Sequence, residues 1–149
     1  MTGQREPQRG GSVSEARDEG VREGATAFDL LGGEPAVRAL VDRFYDLMDL
    51  EPAYAGLRAL HPTSLDGSRD KLHWFLCGWL GGPDHYQRRF GHPRLRARHL
   101  PFRIGIAERD QWLECMRQAM HEQQVDPALA ERLGAAFFGT ADWMRNVGG

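Results

Sequence analysis

The chain has 149 residues, of which 41 % are hydrophobic, and a formal net charge of −2 at pH 7. This length fits a single domain, and no apolar stretch reaches the roughly 20 residues that a membrane-spanning helix needs. Without a polybasic or polyacidic block, the composition indicates neither a nucleic-acid nor a membrane partner. The N-terminus lacks the apolar core of a signal peptide, which predicts a cytoplasmic location.

The first 27 residues are rich in Gly, Arg, Glu and Ser and contain no aromatic side chain. Such a segment cannot bury enough apolar surface to offset the entropy lost on ordering it. We therefore predict a disordered tail over residues 1–27 and one folded domain over residues 28–149.

Beyond this tail, apolar residues recur at helical spacing, and proline or glycine separates one apolar run from the next. The clearest run begins at Glu34-Pro35, where proline is tolerated in a first turn, and carries Val37, Leu40 and Phe44. No segment alternates with period two, so the sequence predicts an all-α fold. In chain order we expect a helical turn over 28–31, helices over 34–48, 53–60, 68–80, 108–123 and 127–144, and short helical pieces within 84–106.

The two cysteines, Cys77 and Cys115, each lie within an apolar helical pattern. We expect buried free thiols rather than a disulfide, because unpaired cysteine behaves as a small apolar residue. No CxxC pair is present, so the sequence offers no support for a thiolate zinc site.

The six histidines are the natural candidates for metal binding or catalysis. We find no obvious partner at helical spacing for His73, His85, His92 or His121, and expect these side chains to be exposed or satisfied by ordinary hydrogen bonds. Sequence motifs of zinc proteases, serine hydrolases and phosphate-binding loops are absent.

His99 differs from these histidines because of its surroundings. Pro101 ends its segment two residues later, and Arg94, Arg96 and Arg98 precede it. A histidine at a helix end beside an arginine is suited to hold a cofactor that carries both a metal and acidic groups. Without interleaved aromatic residues, the arginines do not indicate nucleic-acid binding and are otherwise typical of a solvated helix face.

Two apolar groups of residues would lie near each other in a helical fold. Ser68, Leu72 and Phe75 share one face of the predicted 68–80 helix, and Phe44 and Tyr45 are adjacent on an earlier helix. These side chains would line a flat apolar slot with a few hydrogen-bond donors. The alternative is an ordinary core in which Tyr45 reaches a backbone carbonyl.

Together these runs resemble the group II truncated haemoglobins in residue type, order and spacing, from residue 28 to about 145. The run from Gly91 to Phe102, followed by Trp112, is the most specific part of the resemblance. The matching runs are Phe44-Tyr45, Leu57-Arg58-Ala59-Leu60-His61-Pro62, Phe75-Leu76 with Trp79-Leu80-Gly81-Gly82-Pro83, Gly91-His92-Pro93 with Leu95, Arg96, Arg98, His99, Pro101 and Phe102, and Trp112-Leu113 with Cys115-Met116.

The resemblance implies a two-over-two helical sandwich around haem b with a five-coordinate iron. By this resemblance, His99 is the proximal ligand of the iron, and Lys71 and Arg98 pair with the haem propionates, as Tyr86 also does with less support. The full set of expected cofactor contacts is Phe44, Lys71, Phe75, Tyr86, Arg98 and Phe102.

On the opposite, distal face, the resemblance places Tyr45, His61 and Trp112 as hydrogen-bond donors to a bound ligand. Ser68 stands where many other haemoglobins carry a histidine, which would leave an open path for a small ligand. Leu72 completes the apolar distal wall. Titration of His61 would change the ligand kinetics or the haem spectrum between about pH 5.5 and 7.5.

For function, the resemblance implies binding of dioxygen, nitric oxide, carbon monoxide or peroxide. Three distal donors favour redox chemistry on such a ligand over bulk oxygen transport, and an external reductase would then be required because no flavin or nicotinamide motif is present. An oxygen carrier or a gas sensor is the alternative, and a homodimer is compatible with the sequence. A cofactor-free helical module that binds an acidic partner through residues 94–98 is a further alternative.

Overall fold

The computed structural model describes residues 24–148, and the regular structure within this range is entirely helical. The all-α prediction is therefore confirmed. Of the tail predicted over residues 1–27, residues 1–23 lie outside the described residues. The helices are α1 (Ala27–Leu31), α2 (Gly33–Leu50), α3 (Ala55–Arg58), α4 (Asp66–Trp79), α5 (His85–Phe90), α6 (Leu95–His99), α7 (Ile106–Glu122) and α8 (Pro127–Trp143), with a 3₁₀ turn over Pro52–Tyr54 before α3.

The first helix begins at a reciprocal cap formed by Thr26 and Asp29. The Thr26 hydroxyl accepts a hydrogen bond from the Asp29 amide (3.1 Å), and the Asp29 carboxylate accepts one from the Thr26 amide (3.3 Å). The cap satisfies amide groups that a first helical turn leaves free. Helix α1 therefore begins inside the last residues of the predicted tail, one residue before the expected start at Phe28.

Helix α2 lies at the centre of the fold and packs against both α4 and α7. Val37, Val41 and Phe44 on its apolar stripe are completely buried. Helix α8 packs against α7, so the pair α2 and α4 meets the pair α7 and α8 through the α2–α7 contact. This is the predicted two-over-two arrangement, and it is stabilised mainly by burial of the facing apolar stripes.

The four long helices predicted over 34–48, 68–80, 108–123 and 127–144 are confirmed, with ends that differ by no more than two residues. The predicted 53–60 helix is instead divided into a 3₁₀ turn and α3, because Pro52 sets a tight first turn. Within residues 24–148, no helix has both the length and the apolar character needed to cross a lipid bilayer.

The glycine pair after α4 lets the start of the domain pack against the end of that helix. A Cβ atom on Gly82 would lie 2.6 Å from the Phe28 ring, and Gly81 has a φ of +99°. Only glycine meets both requirements at low cost. The Phe28 amide also donates to the Leu80 carbonyl (2.9 Å), which fixes α1 against the end of α4.

Candidate functional site

A cavity of about 540 Å³ lies between α4, α5, α8 and the segment that leads into α6. Its size is within the range of roughly 300–1,000 Å³ that is common for small-molecule and cofactor sites. Aromatic rings from three helices supply much of its wall, and Arg94 and His92 supply polar edges. The aromatic residues that line it are Trp74, Phe75, Trp79, Tyr86 and Trp143.

A continuous row of aromatic rings connects the cavity wall with the interior of the fold. The Trp79 ring stacks on the Phe137 ring with centroids 4.8 Å apart, and Phe137 meets Trp112 at 5.4 Å. Trp112 in turn lies 5.2 Å from Phe44. The predicted residues Phe44 and Phe75 thus belong to one aromatic assembly, with Phe75 at the cavity wall and Phe44 in the core.

Tyr45 occupies the inner end of this assembly. Its ring makes edge contacts with Phe44 at 5.0 Å and with His61 at 5.8 Å, and only 6 % of the residue is exposed. Burial raises the pKa of Tyr45 well above its ordinary value, so the phenol keeps its proton. The protonated hydroxyl is therefore an O–H donor that a ligand could accept from.

Trp112 contributes a second donor from α7. Its ring is partly buried between Phe44 and Phe137. The indole N–H can only donate a hydrogen bond. Tyr45 on α2 and Trp112 on α7 are therefore two hydrogen-bond donors whose rings both contact the Phe44 ring.

The hydrogen bond of His61 defines its role at this site. His61 Nδ1 lies 3.0 Å from the Leu57 carbonyl oxygen. A carbonyl can only accept, so Nδ1 carries the proton and Nε2 of the neutral ring has a lone pair. The sequence analysis treated His61 as a third donor, but neutral His61 is an acceptor at Nε2 and becomes a donor there only when it is protonated.

We expect protonation of His61 to destabilise the fold. Burial lowers the pKa of His61 below its ordinary value, and the nearby charges of Arg58 and His99 lower it further. The unfolded chain therefore takes up this proton at a higher pH than the folded chain, and stability falls as pH decreases below about 6.5. This shift moves the titration of His61 to lower pH than its ordinary range.

Urea unfolding measured from pH 7.5 to pH 5 checks this expectation. The loss of stability should be smaller in His61→Gln than in the wild type, whereas the exposed His121→Gln should retain the full loss. Identical pH profiles for His61→Gln and wild type would contradict the assignment.

His99 is the last residue of α6 and is partly buried. Its Nδ1 lies 2.6 Å from the Leu95 carbonyl oxygen, so Nδ1 is the protonated nitrogen and Nε2 has a lone pair. A histidine that ligates a metal through one nitrogen commonly donates from the other to a backbone carbonyl, which fixes the ring. His99 has this arrangement.

Asn146, near the C-terminus, holds the His99 segment in place. Its side-chain amide donates to the carbonyls of Phe102 (2.7 Å) and His99 (3.3 Å) and accepts from the Ile104 amide (2.9 Å). Arg96 adds hydrogen bonds to backbone carbonyls at the end of α8. Residues more than 40 positions apart therefore fix the backbone on both sides of His99.

Two cationic side chains lie against aromatic rings near the cavity. Arg98 donates to the Pro93 carbonyl (2.8 Å), and its guanidinium lies 5.8 Å from the ring centre of the buried Tyr86. Lys71 extends across the Phe90 ring at 6.0 Å. Both side chains belong to exposed residues and can meet an acidic group at the surface.

Not every residue predicted for the site lines the cavity. Phe75 and Tyr86 line it, whereas the other predicted residues do not: Phe44, Tyr45, His61, Ser68, Lys71, Leu72, Arg98, His99, Phe102 and Trp112. Leu72 packs partly buried against the core, and Phe102 is 43 % exposed. The roles predicted for all of the site residues remain predictions.

Sequence analysis missed several residues that line the cavity. Arg94 was assigned to a solvated helix face, yet it lines the cavity with its backbone in the left-handed region at φ 49°. Such a φ is uncommon for a residue other than glycine. Trp74 and Trp143 carried no sequence signal beyond their size, because they are 69 positions apart in the chain and meet only at the cavity.

An aromatic cavity, an anchored imidazole and cationic residues at the edge are typical of helical proteins that hold a flat prosthetic group. Residues 26–146 match the bacterial-like globin family, so the chain belongs to this family. Membership of a globin family implies haem binding. It also confirms the resemblance that the sequence analysis identified.

Individual relatives agree with this assignment. The chain is 39 % identical over 114 residues to the group 2 truncated hemoglobin YjbI of Bacillus subtilis, covering 76 % of this chain and 84 % of that protein. The group II 2-on-2 hemoglobin of Agrobacterium tumefaciens is 46 % identical with a TM-score of 0.80, covering 84 % and 97 %. A cold-adapted truncated hemoglobin of Pseudoalteromonas haloplanktis is 41 % identical with a TM-score of 0.80, covering 83 % and 99 %.

Proposed function

We propose that this protein holds haem b against His99 and binds dioxygen and related small ligands on the side of Tyr45 and Trp112. The observation that carries the proposal is the anchored imidazole of His99. Its Nδ1 donates to the Leu95 carbonyl at 2.6 Å, so the lone pair of Nε2 is available to a metal.

The residues of this site fit the chemistry of haem b, a flat apolar group with two acidic edges. Its apolar faces suit a cavity walled by the rings of Phe75, Trp79 and Tyr86. Its propionates suit the cations near the cavity, where Arg98 offers a planar fork and Lys71 offers a point charge. We assign Arg98 and Lys71 to binding of the propionates.

When bound, haem b supplies an iron that takes up dioxygen, nitric oxide, carbon monoxide or peroxide. The protein supplies the surroundings of that ligand. Tyr45 offers the ligand an O–H donor and Trp112 offers it an N–H donor. Both side chains lie in a buried aromatic setting, where such donors act more strongly than in water. Neutral His61 offers an acceptor at Nε2 in contact with the Tyr45 ring.

Two hydrogen-bond donors in a buried setting favour retention of the bound ligand over its rapid release. We therefore propose chemistry on bound dioxygen, peroxide or nitric oxide in preference to bulk transport of oxygen. Turnover would need electrons from an external reductase. The small side chain of Ser68 leaves a direct route for ligand entry, and Leu72 and Phe75 exclude water from the distal wall.

Titration of the full-length chain with haemin tests the proposal. We expect saturation at one haemin per chain with a sharp Soret band. Ligand-binding kinetics with dioxygen, nitric oxide and peroxide would then show which ligand is retained. A correctly folded chain that takes up no haemin would overturn the proposal and favour the cofactor-free helical module.

A further inference from the structure

A second group of metal-ligating side chains lies where α2, α4 and α5 meet, separate from the residues that line the cavity. Glu34 is in the first turn of α2, His73 and Cys77 are one turn apart on α4, and His85 is the first residue of α5. One potential ligand atom from each of Glu34, His73 and Cys77 lies within 4.8 Å of the other two.

The individual distances match those of a tetrahedral zinc site. His73 Nε2 is 3.6 Å from Glu34 Oε1 and 3.8 Å from Cys77 Sγ. Zinc bonds of about 2.0–2.1 Å to nitrogen or oxygen and about 2.3 Å to sulfur separate tetrahedral ligands by about 3.3 Å for N and O, and about 3.6 Å for N and S. The two distances from His73 Nε2 thus exceed the zinc values by a few tenths of an ångström, and all three ligand atoms lie within 4.8 Å of one another.

His85 lies beside the cluster and could supply a fourth ligand. Its Nε2 lies 3.2 Å from the same Glu34 oxygen. This nitrogen is shielded from solvent, yet makes no well-aligned hydrogen bond with any group in residues 24–148. A buried polar atom without a hydrogen bond is costly, and a metal ion would satisfy it as a fourth ligand.

The protonation states of the cluster favour a cation. Burial lowers the pKa of His73, and contact with His85 lowers the pKa of Glu34, so a neutral imidazole and a carboxylate are already present. Burial raises the pKa of the Cys77 thiol to about 11. Zinc binding would release this thiol proton to the solvent, as it does at other thiolate sites.

The neighbouring charge of Arg38 is neutralised by the protein itself. Its guanidinium is hydrogen-bonded to Asp42 (3.3 Å) and Asp70 (2.9 Å). An ion can reach the cluster through Glu34, whose side chain is 47 % exposed. The mixture of nitrogen, sulfur and oxygen ligands selects zinc over the oxygen-preferring magnesium and calcium ions.

We propose that Glu34, His73 and Cys77, with His85 as the fourth ligand, form a zinc site that joins α2, α4 and α5. This site is independent of the haem site. It would fix the helix that presents Phe75 and Trp79 to the cavity.

The proposal is tested by measuring zinc binding to the full-length chain after a chelator has removed any bound metal. Metal analysis and competition with a chromogenic chelator give stoichiometry and affinity. We expect one zinc per chain, and at least about tenfold weaker binding in His73→Gln and Cys77→Ser, since loss of a supporting residue alone costs that much at known sites. Cys115→Ser is the matched control: Cys115 is equally buried, but its thiol donates to the Phe44 carbonyl.

The exposed Glu34 keeps the test decisive if the buried variants fail to fold. Glu34→Gln retains the shape of the side chain at a helix surface, so this variant should fold and should also bind zinc at least about tenfold more weakly. At equal zinc concentration, zinc should raise the unfolding midpoint of the wild type and of Cys115→Ser by more than that of Glu34→Gln. Absence of stoichiometric zinc in the wild type, or equal affinity in Glu34→Gln and Cys115→Ser, would overturn the proposal.

Discussion

Replacing His99 with alanine is expected to weaken and broaden the Soret band of the haemin-loaded protein and to weaken haemin retention at least about a hundredfold. The reason is that His99 is the proposed metal ligand, and loss of even a supporting residue costs about 10–100-fold in metal affinity. The remaining aromatic wall would still hold haemin loosely through its apolar faces. Absorbance titration, followed by transfer of haemin to a competing haem-binding protein, measures the loss.

Rescue by a free base separates ligation from a structural role of His99. In His99→Gly, imidazole added to the solution should enter the vacated space and restore a sharp Soret band. The surface variant His121→Ala should retain the wild-type spectrum, since His121 is exposed on α7. A His99→Ala protein with an unchanged spectrum would show that another group holds the iron.

Removal of either distal donor is expected to accelerate the dissociation of dioxygen. A hydrogen bond to a partly charged acceptor is worth about 1.5–3 kcal/mol, and each 1.4 kcal/mol corresponds to about tenfold in rate. Tyr45→Phe and Trp112→Phe should therefore each raise the off-rate by about 10- to 100-fold. Stopped-flow displacement of dioxygen by carbon monoxide measures this rate.

Tyr54→Phe is a matched control for the donor experiment. Tyr54 is also a buried tyrosine, but its hydroxyl donates to Gln118 at 2.7 Å. This variant should lose a structural hydrogen bond without a change in the off-rate. If Tyr45→Phe and Trp112→Phe both release dioxygen at the wild-type rate, the donors do not contact the ligand.

The amino-acid sequence by itself determined the helices, because the signals that specify them are local. The apolar stripe of α2 follows the helical period, and Asp126 caps α8 through the Leu129 amide at 3.1 Å as its position before Pro127 predicts. The breaker at Gly81-Gly82 also ended α4 where expected. The resemblance carried by residues 91–102 and Trp112 then pointed to the family.

Tertiary structure decided the chemistry of the individual groups, because each depends on a partner far along the chain or on a particular hydrogen bond. The Leu57 carbonyl makes neutral His61 an acceptor, and Asn146 fixes the backbone around His99 from 47 residues away. Neither of these hydrogen bonds can be predicted from a local sequence pattern. Arg94 likewise enters the cavity wall through one left-handed backbone position.

The proposed zinc cluster shows most clearly the difference between what the local sequence determines and what tertiary packing determines. His73 and Cys77 are one turn apart on α4, but without a CxxC pair this spacing indicated nothing in the sequence. Their partner Glu34 is 39 residues from His73 in the chain and reaches it only because α2 packs against α4. Helical periodicity follows from the local sequence, whereas the meeting of ligands from three helices follows from packing.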